Sequence, residues 1–145
     1  MAEPVTASLA TMYQERLLDE YRAPKNRRVM IDATAHAERK NPVCGDAITV
    51  MVRVADGRVA DVSFTGHGCS IAMASASLLT QVVGQTPVAD AKRMASAVEG
   101  MLSGAHPATS VALADALEPL RGVIPFPARH GCVLMPWLAL REALG

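Results

Sequence analysis

Ala47-Ile48-Thr49-Val50-Met51-Val52-Arg53-Val54, then Asp56-Gly57, then Ala60-Asp61-Val62-Ser63-Phe64-Thr65, is the stretch that decides the fold class. Ile48, Val50, Val52 and Val54 fall on one side of an extended chain, and Ala47, Thr49, Met51 and Arg53 fall on the other. This two-residue period is that of a strand with one buried face. Asp-Gly suits a tight turn whose residues need positive φ, so the two runs read as a β-hairpin. A hairpin with an apolar face must be covered, and the flanking sequence offers helices to cover it. The expectation is an α+β fold with a small antiparallel sheet under helices.

Upstream, Leu9, Met12, Tyr13, Leu17 and Tyr21 recur at three- and four-residue steps, which predicts an amphipathic helix. Residues 1–8 are expected as a loose tail. The helix should end at Arg22-Ala23-Pro24, because proline disfavours helical geometry in the residue before it. Val29 to Ala35 reads as a short first strand. Downstream, Ser70 is expected to cap a helix running through Val83, with Ile71, Ala74, Leu78 and Val82 on one face and Gly84 as its stop. Thr86-Pro87 is expected to open the next helix, towards Leu102. Gly104 to Pro107 is a break, and Val111 to Leu117 reads as a short helix ended by Glu118-Pro119. A proline-rich loop, Gly122 to Pro127, then delivers Arg129, His130, Gly131 and Cys132 to a last helix. Pro136 is expected in that helix's first turn.

The chain has 145 residues, enough for one domain, 1–145, with a real core. Half of the residues are hydrophobic but only 3% are aromatic, so small aliphatic side chains must build that core. Formal net charge is zero, which gives no footprint for nucleic acid or an anionic membrane. The N-terminus has no basic segment followed by an apolar run, and no stretch approaches the ~20 apolar residues of a membrane span. A cytoplasmic location is expected. Three cysteines, an odd number without an export signal, favour reduced thiols over a disulfide framework.

Those cysteines carry the chemistry. Cys69 and Cys132 each follow a glycine at the expected start of a helix. Unpaired backbone N–H groups and the positive end of the helix dipole favour the thiolate there, and the thiolate is both nucleophile and metal ligand. A single such cysteine reads as a small buried hydrophobe; two, together with Cys44 beside Asp46, read as a site. In a regular strand Cys44 and Asp46 would share the parity of Ile48 and Val50. Thiolates suit zinc or iron, and zinc takes four ligands. Asp46 is the choice for the fourth, with His67 and His130, each two residues before a cysteine, as rivals. Arg129 reads either as a surface charge or as a partner for a thiolate or a foreign carboxylate. Gly66-His67-Gly68 has too little specificity to mark a nucleotide site.

Three runs carry a resemblance: Asn41-Pro42-Val43-Cys44-Gly45-Asp46, the segment Gly66-His67-Gly68-Cys69-Ser70-Ile71-Ala72-Met73-Ala74-Ser75-Ala76-Ser77, and Phe126-Pro127-Ala128-Arg129-His130-Gly131-Cys132. Together they resemble the SufU branch of the IscU-type iron–sulfur scaffold proteins, from about Met12-Tyr13 to Leu140. The long segment between Cys69 and Cys132 matches SufU rather than the shorter IscU. IscU proteins place a histidine immediately before the last cysteine; here that position is Gly131.

The resemblance implies an IscU/SufE-like α+β fold with about three strands. It implies a zinc site of Cys44, Asp46, Cys69 and Cys132, and a SufS-type pyridoxal-phosphate cysteine desulfurase as partner, with downstream iron–sulfur assembly proteins beyond it. The function implied is that of a zinc-dependent sulfur acceptor, or sulfurtransferase, with Cys44 as the residue that takes the sulfur. The alternative is a scaffold on which the same residues assemble an iron–sulfur cluster.

Overall fold

The computed structural model describes residues 3–42, 45–103 and 113–145, with side chains from residue 9 onward. The order of elements is α1 (Glu3–Arg22), β1 (Ala35–Asn41), β2 (Asp46–Ala55), β3 (Arg58–His67), α2 (Ser70–Val83) and α3 (Val88–Ser103). Two 3₁₀ helices, Asp115–Val123 and Pro127–Arg129, then lead into α4 (His130–Leu144). Among the described residues no helix is long and apolar enough to cross a membrane.

The hairpin forms as its alternation demands. Strands β2 and β3 pair antiparallel, with Val50 opposite Phe64 and Val52 opposite Val62. Asp56 and Gly57 adopt φ of 54° and 74°, the pair of left-handed residues that a type I′ turn requires. Ile48, Val50, Val52, Val62 and Phe64 are all buried in the core. At the far end of β3, Gly66 adopts φ +127°, and a Cβ there would run into the Ala47 carbonyl oxygen. Only glycine lets the two backbones approach so closely.

The third strand is not where Val29 to Ala35 predicted it. It is Ala35–Asn41, paired antiparallel to β2 at the edge of a sheet ordered β1-β2-β3. The apolar run Val29-Met30-Ile31 lies outside it. Val29 and Ile31 are exposed, while Met30 folds inward with its N–H directed to Met51 Sδ at 3.5 Å. Asn26 and Arg28 instead bracket Phe64 through backbone hydrogen bonds of 3.1 and 3.0 Å, covering the outer edge of β3 at that residue.

Helix α2 is buried nearly all round, from Ala72 to Thr80, as its sequence of alanines, serines and leucines allows. Its small polar residues fasten neighbouring elements. Ser77 donates to the buried Glu20 carboxylate of α1 at 2.8 Å and accepts the Lys25 amide at 2.8 Å. Gln81 and Arg16 also meet that carboxylate, so the buried charge is fully partnered.

Several boundaries differ from expectation. Helix α1 begins at Glu3 and takes in residues 3–8, expected as a tail. Cys69, not Ser70, is the N-cap of α2. Helix α2 stops before Gly84 as expected, but Gln85 takes the left-handed conformation, with φ 72°. The first amides of α3 bond to the Pro87 carbonyl, so its cap lies one residue beyond Thr86. Residues 111–112 of the expected Val111–Leu117 helix lie outside the described residues. The observed turn runs as a 3₁₀ helix through Pro119 to Val123, where the sequence suggested an end at Glu118-Pro119. Finally, α4 starts at His130, which places Pro136 in the second turn rather than the first. Proline brings no N–H to the carbonyl four residues back, which is that of Cys132.

Candidate metal centre

Three elements bring three ligand atoms to one point. Asp46 opens β2 on the core-facing side that also carries Ile48 and Val50, and is only 8% exposed. Cys69 is the half-buried N-cap of α2, a free thiol. Cys132 lies buried in the first turn of α4. A carboxylate oxygen of Asp46 and the Sγ atoms of Cys69 and Cys132 all lie within 4.8 Å of one another.

The carboxylate is itself held in place. Asp46 Oδ2 accepts the Cys69 backbone N–H at 3.0 Å, tying the start of β2 to the start of α2. Gly68 makes room for this contact: a Cβ there would stand 3.3 Å from Asp46 Oδ2 and 3.2 Å from the Ala72 Cβ. A negative group at that helix start also meets the favourable end of the dipole. This bond was not foreseen from the sequence, although Gly68 immediately before Cys69 is its trace.

The donor set fits zinc. With Zn–S of about 2.3 Å and Zn–O of about 2.1 Å, tetrahedral ligand atoms stand roughly 3.5–3.8 Å apart. The observed triangle has to close by about an ångström at most. Two thiols and a carboxylate are borderline-soft donors of the kind zinc takes, and one of the carboxylate oxygens is already oriented by the Cys69 amide, the kind of outer contact that fixes metal ligands.

Of the four residues expected to bind metal, the structure brings together Asp46, Cys69 and Cys132. Cys44 and its neighbour Val43 lie outside the described residues. Neither rival histidine joins the group. His67 is exposed and its Nε2 stands 3.1 Å from the Gly45 carbonyl oxygen. His130 turns its Nε2 towards the Ile124 carbonyl oxygen, at 3.0 Å. Arg129 is exposed and lines a groove of about 400 Å³ with Leu17, Ile71, Val123 and Phe126, beside Ser70 at the start of α2.

Residues 12–133 match the NifU-like N-terminal domain family. The chain belongs to that family. Among the relatives of this NifU-like domain, it is 36% identical over 138 residues to the zinc-dependent sulfurtransferase SufU of Bacillus subtilis, covering 95% of this chain and 92% of that one. It is 35% identical over 133 residues to the iron–sulfur cluster assembly scaffold protein IscU of Thermotoga maritima, covering 92% of each. A crystal structure of an iron–sulfur cluster assembly scaffold protein of the SUF system from Fervidobacterium islandicum superposes with a TM-score of 0.82 at 29% identity, over 90% of this chain and 95% of that one. The α+β architecture expected for a NifU-like domain, three antiparallel strands with helices, is the one observed.

Proposed function

We propose that this NifU-like domain is a zinc-dependent sulfur acceptor that serves a SufS-type cysteine desulfurase in iron–sulfur cluster assembly, acting in the cytoplasm. The observation that carries the reading is the convergence of Asp46, Cys69 and Cys132 within 4.8 Å at a largely buried point. Its similarity to the zinc-dependent SufU supports the choice of metal and of chemistry.

Asp46, Cys69 and Cys132 would hold the ion with Cys44 as fourth ligand. Bound zinc keeps its thiolates deprotonated near neutral pH and damps their nucleophilicity. Asp46 orients the start of α2 through the Cys69 amide. Cys69 and Cys132 are anchored on helices, whereas Cys44 falls in the sequence between the end of β1 and the start of β2. Cys44 is therefore the thiol that can leave the ion without dismantling a helix. Its thiolate attacks the outer sulfur of the desulfurase persulfide. The new S–S bond forms on Cys44 as the old one breaks, and the desulfurase cysteine departs as a thiolate. No net electrons enter or leave. With Cys44 engaged in the transfer, Asp46, Cys69 and Cys132 would remain as the residues that hold the ion.

The second reading is a scaffold for a nascent cluster on the same residues, favoured by the names of the Thermotoga and Fervidobacterium relatives. Metal analysis after anaerobic purification, with desulfurase turnover in the same preparation, decides between them. The sulfur-acceptor reading predicts about one zinc per chain, no visible chromophore, and stimulation of turnover that Cys44→Ala abolishes. Iron with stoichiometric sulfide would support the scaffold; zinc with turnover indifferent to Cys44 would leave only a structural metal.

A further inference from the structure

Ser75 lies in α2, about 9 Å along the helix axis from Cys69 at ~1.5 Å per residue, and has no exposed surface. Its hydroxyl donates to the Val133 carbonyl oxygen at 2.7 Å and accepts from the Trp137 indole N–H at 3.1 Å. Trp137 is likewise fully buried. The hydroxyl thus links α2, whose N-cap is Cys69, to the residue adjoining Cys132 in α4. Gly131 contributes no side chain to that turn of α4. A serine placed only to fill space would serve as well as alanine, and alanine is already the residue on either side, at positions 74 and 76.

We infer that Ser75, with Trp137, is a positioning pair that sets the separation of the Cys69 and Cys132 thiols and so tunes metal affinity. This rests on the zinc reading given above. The pair touches neither ligand atom; it acts through the backbone of Val133. Removing the hydroxyl frees the first turn of α4 to move relative to α2. It also leaves the indole N–H without its acceptor in a dry interior.

The test compares zinc affinity, by competition with a chromophoric chelator, in wild type, Ser75→Ala, Trp137→Phe and a core control, Val98→Ala in α3. Ser75→Ala should weaken zinc binding by about tenfold, the low end of what loss of a direct ligand partner costs, because it acts one residue away from Cys132. Trp137→Phe keeps an aromatic ring, though a smaller one, and the Ser75–Val133 bond, and should cost about a third of that factor. The double variant should bind no more weakly than Ser75→Ala, because both act through one hydroxyl. Val98→Ala should lower the melting temperature comparably yet leave zinc affinity unchanged. The cobalt-substituted absorption spectrum should shift in Ser75→Ala and not in Val98→Ala, a change in ligand geometry that lost stability alone does not produce. In metal-free protein, Trp137, the single tryptophan, should change its emission in Ser75→Ala. Wild-type affinity and spectrum in Ser75→Ala, or equal losses in Val98→Ala, would overturn the inference. A wild type that takes up no zinc would instead overturn the metal reading, and this inference with it. If Ser75→Ala fails to fold, Trp137→Phe carries the same comparison.

Discussion

Replacing Asp46 separates its two roles, as metal ligand and as holder of the α2 start. In metal-free protein, Asp46→Ala removes the bond from the Cys69 amide to Oδ2. A hydrogen bond to a charged group is worth ~1.5–3 kcal/mol. Cys69 is only half-buried, so water can partly replace the lost acceptor, and the lower end of that range applies. For a chain of this size, 1 kcal/mol corresponds to about 2–4 °C in melting temperature. The metal-free variant should therefore melt roughly 3–6 °C below metal-free wild type. The zinc-loaded difference should be larger, because a ligand is lost as well. If zinc at a thousandfold excess over its Kd stabilises wild type by about 4 kcal/mol, most of that increment should vanish in the variant. Asp46→Asn keeps an acceptor for the Cys69 amide but loses the charge. It should fall between wild type and Asp46→Ala without metal, and resemble Asp46→Ala with it. Differential scanning calorimetry with zinc stoichiometry by mass spectrometry reads both effects. Wild-type zinc content in Asp46→Ala, together with zinc loss in His130→Ala, would refute the ligand assignment.

Other outcomes follow from the same geometry. His67→Ala and His130→Ala should each retain zinc near the wild-type level, since both rings are directed at backbone carbonyls; elemental analysis checks this, and zinc loss in either contradicts the site. Chelation of wild type should loosen the start of α2 and the start of α4 together, seen as faster amide exchange at both, with a melting temperature lower by roughly 8–16 °C. An unchanged melting temperature after verified zinc loss would count against a shared ion. Gly66→Ala should be destabilised by about 3 kcal/mol or more, because a left-handed strand residue is strained and its new Cβ strikes the Ala47 carbonyl. Denaturant titration measures it, and a loss below 1 kcal/mol would show that the strands can separate there without cost.

The parts of this protein legible in its sequence are those where one local signal dominates. Alternation from Ile48 to Val54 and the Asp56-Gly57 turn made the hairpin readable, and the strand period put Asp46 on the core side with Ile48. The edge strand Ala35–Asn41 was not readable, since Ala37 is its only buried residue and charged side chains fill much of the remainder. Val29-Met30-Ile31 drew the strand expectation instead, because three apolar residues look like a strand even when only the middle one packs. The 3₁₀ helix through Pro119 was hidden for a related reason: proline has no N–H to give a helix interior, so Glu118-Pro119 read as an end. At the site, the glycine before Cys69 marked the start of α2, whereas Gly131 lies one residue inside α4. The spacing to Cys44 favoured Asp46 over His67 and His130, but where each of those side chains points is fixed only by the fold. The Ser75–Trp137 link joins residues 62 positions apart and leaves no periodic trace.

The central claim is that this domain accepts sulfur at Cys44 beside a zinc ion held by Asp46, Cys69 and Cys132. Its most direct test mixes zinc-loaded protein with a SufS-type desulfurase and cysteine, quenches early with an alkylating agent, and maps persulfides by peptide mass spectrometry. The first persulfide should appear on Cys44, before any on Cys69 or Cys132, and Cys44→Ser should retain much of its zinc while accepting no sulfur. A first persulfide on Cys132 would contradict it and make the start of α4 the acceptor.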